Sequence, residues 1–150
     1  MHLLLWRHAE AEDGTDDLAR ALTPRGRQQA ERVAAWLHRH APTPTRVLVS
    51  PAVRTRQTAD ALDRPYEVVP GLAPGAGPAA VLTAAGWPDA EGTVVVVGHQ
   101  PFLGQVAATV LTGQSAYWSV KKAGVWWFAT RQRDDDAQVV LRAMVTPDIC

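Results

Sequence analysis

Two continuous runs of apolar residues each lead directly into a histidine. Residues 3–6 (Leu-Leu-Leu-Trp) precede Arg7-His8, and the four valines at 94–97 precede Gly98-His99. Runs without polar alternation are typical of strands that are buried on both faces, as in the centre of a parallel α/β sheet. Because ligands of such sheets bind at the carboxyl ends of the strands, we expect both histidines to lie in one crevice.

A third apolar run brings another candidate group to the same edge. Residues 47–49 lead into Ser50-Pro51, and Arg54 follows in the first turns of a predicted helix. The overall pattern predicts strands at 2–6, 47–50, 66–69 and 93–97, helices at 24–40, 52–62, 78–85 and 101–111, and a hairpin of strands 125–130 and 138–144 around a polar turn at 131–137. This order predicts an α/β fold with a mainly parallel sheet and a C-terminal β-hairpin.

Composition and net charge indicate which kinds of fold and binding partner are expected for this chain. The 150 residues fit one domain over 1–150, and a hydrophobic fraction of 47% indicates a globular fold. Lys plus Arg and Asp plus Glu are 15 each, so the net charge is zero. Neither nucleic acid nor an anionic membrane is therefore expected as a partner. The only cysteine is Cys150, which leaves no disulfide framework and no thiolate metal site.

The chain carries no feature of a membrane or exported protein. No apolar stretch approaches the roughly 20 residues that cross a bilayer. The start, Met1-His2-Leu3, has no charged region, so we predict that the first apolar run is a strand and not a signal peptide. A cytoplasmic location is expected.

Arg7, His8, Arg54 and His99 together have the chemistry of a phosphate site with its own nucleophile. Arginine forks bind phosphate oxygens in pairs, and catalysis of phosphoryl transfer is mostly positioning and charge stabilisation. A histidine between two arginines is expected to stay neutral, because its charged form is disfavoured there. One histidine would attack phosphorus, and the other would donate a hydrogen bond to a phosphate oxygen.

Four segments, residues 3–12, 22–26, 47–58 and 94–104, resemble the histidine phosphatase superfamily, whose members carry an Arg-His pair after the first strand. The short length and the segment from Val47 to Thr58 are most similar to the SixA-like phosphohistidine phosphatases of bacteria. The resemblance implies a three-layer α/β/α sandwich of the phosphoglycerate-mutase-like type. It also implies that His8 is the nucleophile, and that Arg7, Arg54 and His99 form the phosphate pocket.

The resemblance leaves the remaining site residues less defined. Arg20 is a candidate at the rim of the pocket, with a plain surface arginine as the alternative, and Arg56 is expected at the surface. Larger members of the superfamily supply an acid from an inserted segment or just after the second histidine, where this chain has Gln100. Glu10 is the possible acid, whereas the other carboxylates of the first loop (Glu12, Asp13, Asp16 and Asp17) are expected to be solvated. Many relatives have Gly at position 9, where this chain has Ala9, a small change unless the backbone needs a positive φ.

The predicted function is hydrolysis of phosphohistidine on a protein, such as a phosphotransfer domain in signal transduction, through a phosphohistidine enzyme intermediate. One alternative is a small-molecule phosphatase acting on a phosphosugar or nucleotide. A phosphate-binding module without catalysis is the other alternative, and the presence of both histidines and both arginines disfavours it. No metal or cofactor is expected, because His38 and His40 point in different directions on a helix and no nucleotide-binding glycine loop is present.

Overall fold

The computed structural model describes residues 1–150 as six strands and four helices. The strands are β1 (His2–Arg7), β2 (Arg46–Val49), β3 (Glu67–Val68), β4 (Thr93–Gly98), β5 (Val125–Arg133) and β6 (Asp136–Val145). The helices are α1 (Pro24–His40), α2 (Val53–Asp60), α3 (Pro78–Ala85) and α4 (Phe102–Thr112), and single 3₁₀ turns lie at Asp17–Ala19 and Pro70–Leu72. None of the helices combines the length and hydropathy that a membrane-spanning helix requires.

All six strands form one sheet in the order β3-β2-β4-β1-β5-β6. The first four strands of this order pair in parallel, and β5 and β6 pair antiparallel as a hairpin beside β1. The predicted α/β class, the parallel core and the C-terminal hairpin are therefore confirmed.

Each face of the sheet is covered by a pair of helices. Leu4 and Trp6 of β1 belong to a buried cluster with the apolar stripe of α1, which includes Val33 and Leu37. Their neighbours along the strand, among them Leu5, belong to a second cluster with α3 and α4. Because successive side chains point to opposite faces, a strand covered on both sides must be apolar throughout. This three-layer α/β/α arrangement confirms the prediction.

The hairpin differs from its prediction in the length of its strands. The expected turn over 131–137 is wrong, since β5 continues to Arg133 and β6 begins at Asp136. Only Asp134 and Asp135 connect the strands, and Asp134 adopts a left-handed φ of 54°. Residues 131–139 are all exposed. The backbone pairing of β5 with β6 therefore extends beyond their last buried residues. In this exposed part the sequence has no alternation of apolar and polar residues that would predict a strand.

Helix α1 begins against the loop that follows β1. Thr23 caps the helix by accepting a hydrogen bond from the backbone N–H of Gly26 at 2.9 Å, and Pro24 occupies the first turn, as predicted. Gly26 is buried, and a β-carbon built on it would lie 2.0 Å from the carbonyl oxygen of Glu10. The absence of a side chain at Gly26 lets α1 approach the segment that carries His8.

Gly26→Ala is expected to destabilise the protein, because the added methyl group collides with backbone that has no room to move. Overpacking of this kind costs typically 1–3 kcal/mol, occasionally more. Urea unfolding should measure the loss, with Gly71→Ala as the control, since nothing lies within 4 Å of a β-carbon at Gly71. Equal free energies of unfolding for the two variants would contradict the predicted close contact.

Candidate active site

The pairing register of the central strands places three polar residues at the same edge of the sheet. Arg7 of β1 pairs with Gly98 of β4, and Val49 of β2 pairs with Val97. The next residues, His8, His99 and Ser50, therefore leave the sheet side by side. The backbone N–H of His8 still donates to the carbonyl of Gly98 at 3.1 Å, which continues the ladder into the site.

Arg54 reaches this edge from the first turn of α2. The residue is buried at 3% exposure, and its Nη2 lies 3.3 Å from Nδ1 of His99. The ring centroids of His8 and His99 are 5.4 Å apart. The structure thus brings together the two predicted imidazoles and the predicted guanidinium. Arg56, two residues further along the helix, is exposed as expected.

Arg7 lies at the end of β1, beside the loop that precedes β5. Its Nη1 donates to the carbonyl of Val120 at 2.9 Å. Its Nε is buried without a hydrogen-bond partner, and the same holds for Nε of Arg54. Buried donors are almost always satisfied in proteins, so two unpaired guanidinium N–H groups in one site favour a bound anion as the missing acceptor.

A hydrogen bond to the backbone fixes the tautomer of His8. Its Nδ1 lies 2.7 Å from the carbonyl oxygen of Ala9, and because a carbonyl only accepts, Nδ1 carries the proton. The other ring nitrogen, Nε2, therefore holds a lone pair when the ring is neutral. Burial lowers the pKa of His8 to about 4, and the charges of Arg54 and Arg7 act in the same direction. His8 is therefore neutral at physiological pH, as expected, although burial contributes more to the low pKa than the two arginines do.

His99 is held by partners on both ring nitrogens. Arg54 can only donate, so Nδ1 of His99 accepts, and Nε2 donates to Oγ of Ser50 at 2.7 Å. Burial, followed by the charge of Arg54, lowers the pKa of His99 to about 3. The neutral ring therefore has no free N–H in this state. The hydrogen bond that His99 is expected to donate to a phosphate oxygen therefore stays a prediction.

Sequence reasoning missed two hydroxyl groups that support these residues. Ser50 accepts the hydrogen bond from Nε2 of His99 and so orients the ring. Thr58 accepts from the backbone N–H of Ala9 at 3.0 Å and donates to the carbonyl of Arg54 at 2.8 Å, so one side chain joins the loop after β1 to α2. Ala9 has no positive φ, which explains why the site accepts alanine there. The spacing of Thr58 four residues after Arg54 is the signal for the helical part of this contact.

Asp17 corrects the prediction that the first-loop carboxylates, Glu10 aside, are simply solvated. Its carbonyl oxygen accepts from Nη1 of Arg54 at 2.6 Å, and its carboxylate lies 3.1 Å from Nη2. The carboxylate also pairs with Arg20 at 3.0 Å, although its side chain is 56% exposed. Slight desolvation acts to raise the pKa of Asp17, but the hydrogen bonds from Arg54 and Arg20 outweigh it and lower the pKa. An anion therefore already contacts Arg54.

Arg20 contacts Asp17, which also contacts Arg54, whereas the Glu10 side chain bonds to the start of α1. Arg20 is half-buried, and besides Asp17 it contacts the carbonyl of Glu12 at 3.2 Å. Its charge lowers the pKa of His8, although less than the charges of Arg54 and Arg7 do. The carboxylate of Glu10 accepts from Oγ1 of Thr23 at 2.7 Å, at the start of α1. No group of three or more His, Cys, Asp or Glu side chains is arranged to hold a metal ion.

The sequence and the fold are both similar to those of known histidine phosphatases. Residues 3–74 match the model of the histidine phosphatase superfamily, branch 1. The chain is 32% identical to the phosphohistidine phosphatase SixA of Escherichia coli over 125 residues, an alignment that covers 77% of each chain. It is 37% identical to an uncharacterised protein of Picosynechococcus over 141 residues, which covers 83% of this chain and 82% of that one. The solved structure of protein histidine phosphatase SixA complexed with tungstate is similar, with a TM-score of 0.81, 25% identity and coverage of 99% of this chain and 98% of that one.

The free energy of unfolding is expected to fall as the pH falls from 6.5 towards 4. The folded pKa values of His8 and His99 lie below the ordinary value of 6.5, so the unfolded chain binds more protons over this range. Each histidine should contribute about 1 kcal/mol per pH unit to the slope. Urea unfolding at pH 7, 6 and 5 measures it.

The variant His8→Gln/His99→Gln should lose most of this slope. The matched control is His38→Gln/His40→Gln, whose side chains are exposed in the folded protein. A slope that survives removal of the two buried histidines, or that disappears in the control, would show that other groups dominate the acid sensitivity.

Proposed function

The chain belongs to the histidine phosphatase superfamily and is a hydrolase of phosphate esters, and on this basis we propose that it dephosphorylates phosphohistidine on a protein, such as a phosphotransfer domain. The observation that carries the proposal is the Nδ1–H hydrogen bond from His8 to Ala9, which leaves Nε2 unprotonated on a ring whose centroid lies 5.4 Å from that of His99. The 32% identity to phosphohistidine phosphatase SixA supports the substrate class.

The reaction has two displacements at phosphorus. Nε2 of His8 attacks the substrate phosphoryl group, the P–N bond to the substrate imidazole breaks, and the departing nitrogen takes a proton from solvent. Water then attacks phosphorus, the bond to His8 breaks, and inorganic phosphate leaves. The backbone acceptor on Nδ1 stabilises the positive charge that develops on the ring of His8 in the first step.

Three neighbouring groups balance the charge of the transferred phosphoryl group. Arg7 and Arg54 are charged at neutral pH, and each has a buried Nε donor without a partner. His99 becomes a further donor once it takes up a proton at Nδ1. A phosphate that binds Arg54 must share or replace the contact with the carboxylate of Asp17. The tungstate in the related structure is a tetrahedral oxyanion, as phosphate is.

The site offers no obvious proton donor for the leaving group. Hydrogen bonds to two arginines keep the pKa of Asp17 low, so its carboxylate is ionised and is a poor proton donor. Glu10 is held at the N-terminus of α1 by Thr23. An imidazole leaves readily without a strong acid, whereas an alkoxide does not. This difference supports phosphohistidine over an alkyl phosphate as the substrate.

His8 is expected to carry the phosphoryl group during turnover. Rapid quenching with a labelled phosphohistidine protein should trap a phosphoryl group on His8 that is labile to acid and stable to base, as an N–P bond is. His8→Ala should abolish both the trapped species and turnover. Near-normal turnover by that variant would refute the assignment.

Arg54→Lys is expected to lower kcat on the order of 10²–10³-fold, comparable to the loss of one oxyanion-hole donor. An ammonium group replaces the planar fork with a point charge, and it loses the directed contacts to Asp17 and His99. Arg56→Lys on the exposed side of α2 is the matched control and should change kcat less than twofold. Equal losses in the two variants would mean that Arg54 has no special role.

Activity is expected to follow the leaving group: highest on phosphohistidine, lower on an aryl phosphate and lowest on a sugar phosphate. The reason is the absence of a free acid beside the nucleophile. The three substrates should be compared in the wild type and in Glu10→Gln. High sugar-phosphate turnover that collapses in Glu10→Gln would instead identify a small-molecule phosphatase with Glu10 as its acid.

A further inference from the structure

A groove of about 1300 Å³ lies along the exposed face of α1, and Arg7 is part of its wall. Four further cationic side chains line it, Arg25 and Arg32 from α1, and Lys121 and Lys122 from the loop before β5. Only two carboxylates, Glu31 and Asp148, line the same groove. The groove is therefore locally basic, although the whole chain has no net charge.

The cations of the groove are not neutralised within the protein. The three salt bridges of the structure join Asp17 to Arg20 and Arg54, and Arg46 to Glu67. None of them involves a residue of the groove. Arg25, Arg32, Lys121 and Lys122 are all exposed, so their charges are available to a partner. Met144, which is 47% exposed in the same groove, adds an apolar contact of the kind that protein interfaces favour.

The loop before β5, which contains Lys121 and Lys122, is hydrogen-bonded to the end of β1 next to His8. Arg7 donates to the carbonyl of Val120, and the backbone N–H of Ala123 donates to the carbonyl of His8 at 3.1 Å. Lys121 and Lys122 lie between these two anchors. Because Arg7 adjoins His8 and also lines the groove, a substrate bound at His8 that extends past Arg7 would reach this loop.

We propose that this groove binds an acidic segment next to the phosphohistidine of the protein substrate, and so selects substrates by the charge that flanks the reacting group. The inference rests on the proposed function, because it concerns the body of the same substrate. Unpaired exposed cations attract a partner of opposite charge and accelerate its encounter, with a steep dependence on ionic strength.

The groove carries both positive and negative side chains, which favours a protein segment over a nucleic acid as its ligand. A polynucleotide carries a phosphate at every residue, and Glu31 and Asp148 would repel such a continuous line of negative charge. A protein segment carries separate carboxylates and apolar side chains, which can face the four cations and Met144 while they avoid the two acids.

The test uses two phosphohistidine peptides that differ only in their flanking residues, glutamates in one and glutamines in the other. The wild type should prefer the acidic peptide roughly tenfold in kcat/KM at low salt, within the range of electrostatic steering. The preference should shrink at high salt. Lys121→Glu/Lys122→Glu should abolish or reverse it, with kcat/KM for an aryl phosphate used to normalise each variant.

Arg64→Glu/Arg133→Glu is the matched control, because it makes the same change in charge at two exposed residues. Both lie towards the amino ends of the parallel strands, whereas His8 and the lysines lie towards the carboxyl ends. This variant should keep the preference. Equal rates on the two peptides in the wild type, or the same loss of preference in both double variants, would overturn the groove proposal while the proposed function stands.

Two further outcomes are decisive. Hydrolysis of the aryl phosphate but of neither peptide would refute the proposed function, and the groove proposal with it. Stronger competition by an RNA oligonucleotide than by the unphosphorylated acidic peptide would overturn the protein assignment of the groove.

Discussion

Parallel hydrogen bonding between β1 and β4 pairs Arg7 with Gly98, and the site depends on this register. It places His8 and His99 at adjacent strand ends, where their rings lie 5.4 Å apart. A slip of one residue would turn one of the side chains to the other face of the sheet. The register is strongly specified because both faces of both strands are buried, so a slip would also put every apolar side chain of the strand into the wrong core.

Burial of the site determines its charge state. Two imidazoles and the guanidinium of Arg54 are almost fully removed from water, and the imidazoles remain neutral because an additional buried positive charge would be costly. Asp17 supplies the anion that Arg54 needs in the absence of phosphate. The same arrangement keeps His8 neutral, with the proton on Nδ1 and an unprotonated Nε2, in a site that holds two arginine side chains.

Net charge and local charge give different information in this protein. The equal numbers of acidic and basic residues correctly describe the whole chain, but they conceal a groove in which four exposed cations lack a partner in an ion pair. Those cations come from α1 and from the loop before β5, segments about ninety residues apart in the chain. The proposed selection of acidic substrates therefore follows from how the chain folds rather than from its composition.

The sequence by itself determined the α/β class and predicted that Arg7, His8, Arg54 and His99 meet at one edge of the sheet, because uninterrupted apolar runs mark buried strands and ligands bind at the carboxyl ends of such strands. Only the tertiary structure decided the partners of these groups. Asp17 meets Arg54 and Ser50 meets His99 across more than thirty residues of chain, and no local pattern records such contacts. The long exposed hairpin escaped the sequence for a related reason, since backbone hydrogen bonds, which every residue type can make, extend its strands beyond the last buried side chain.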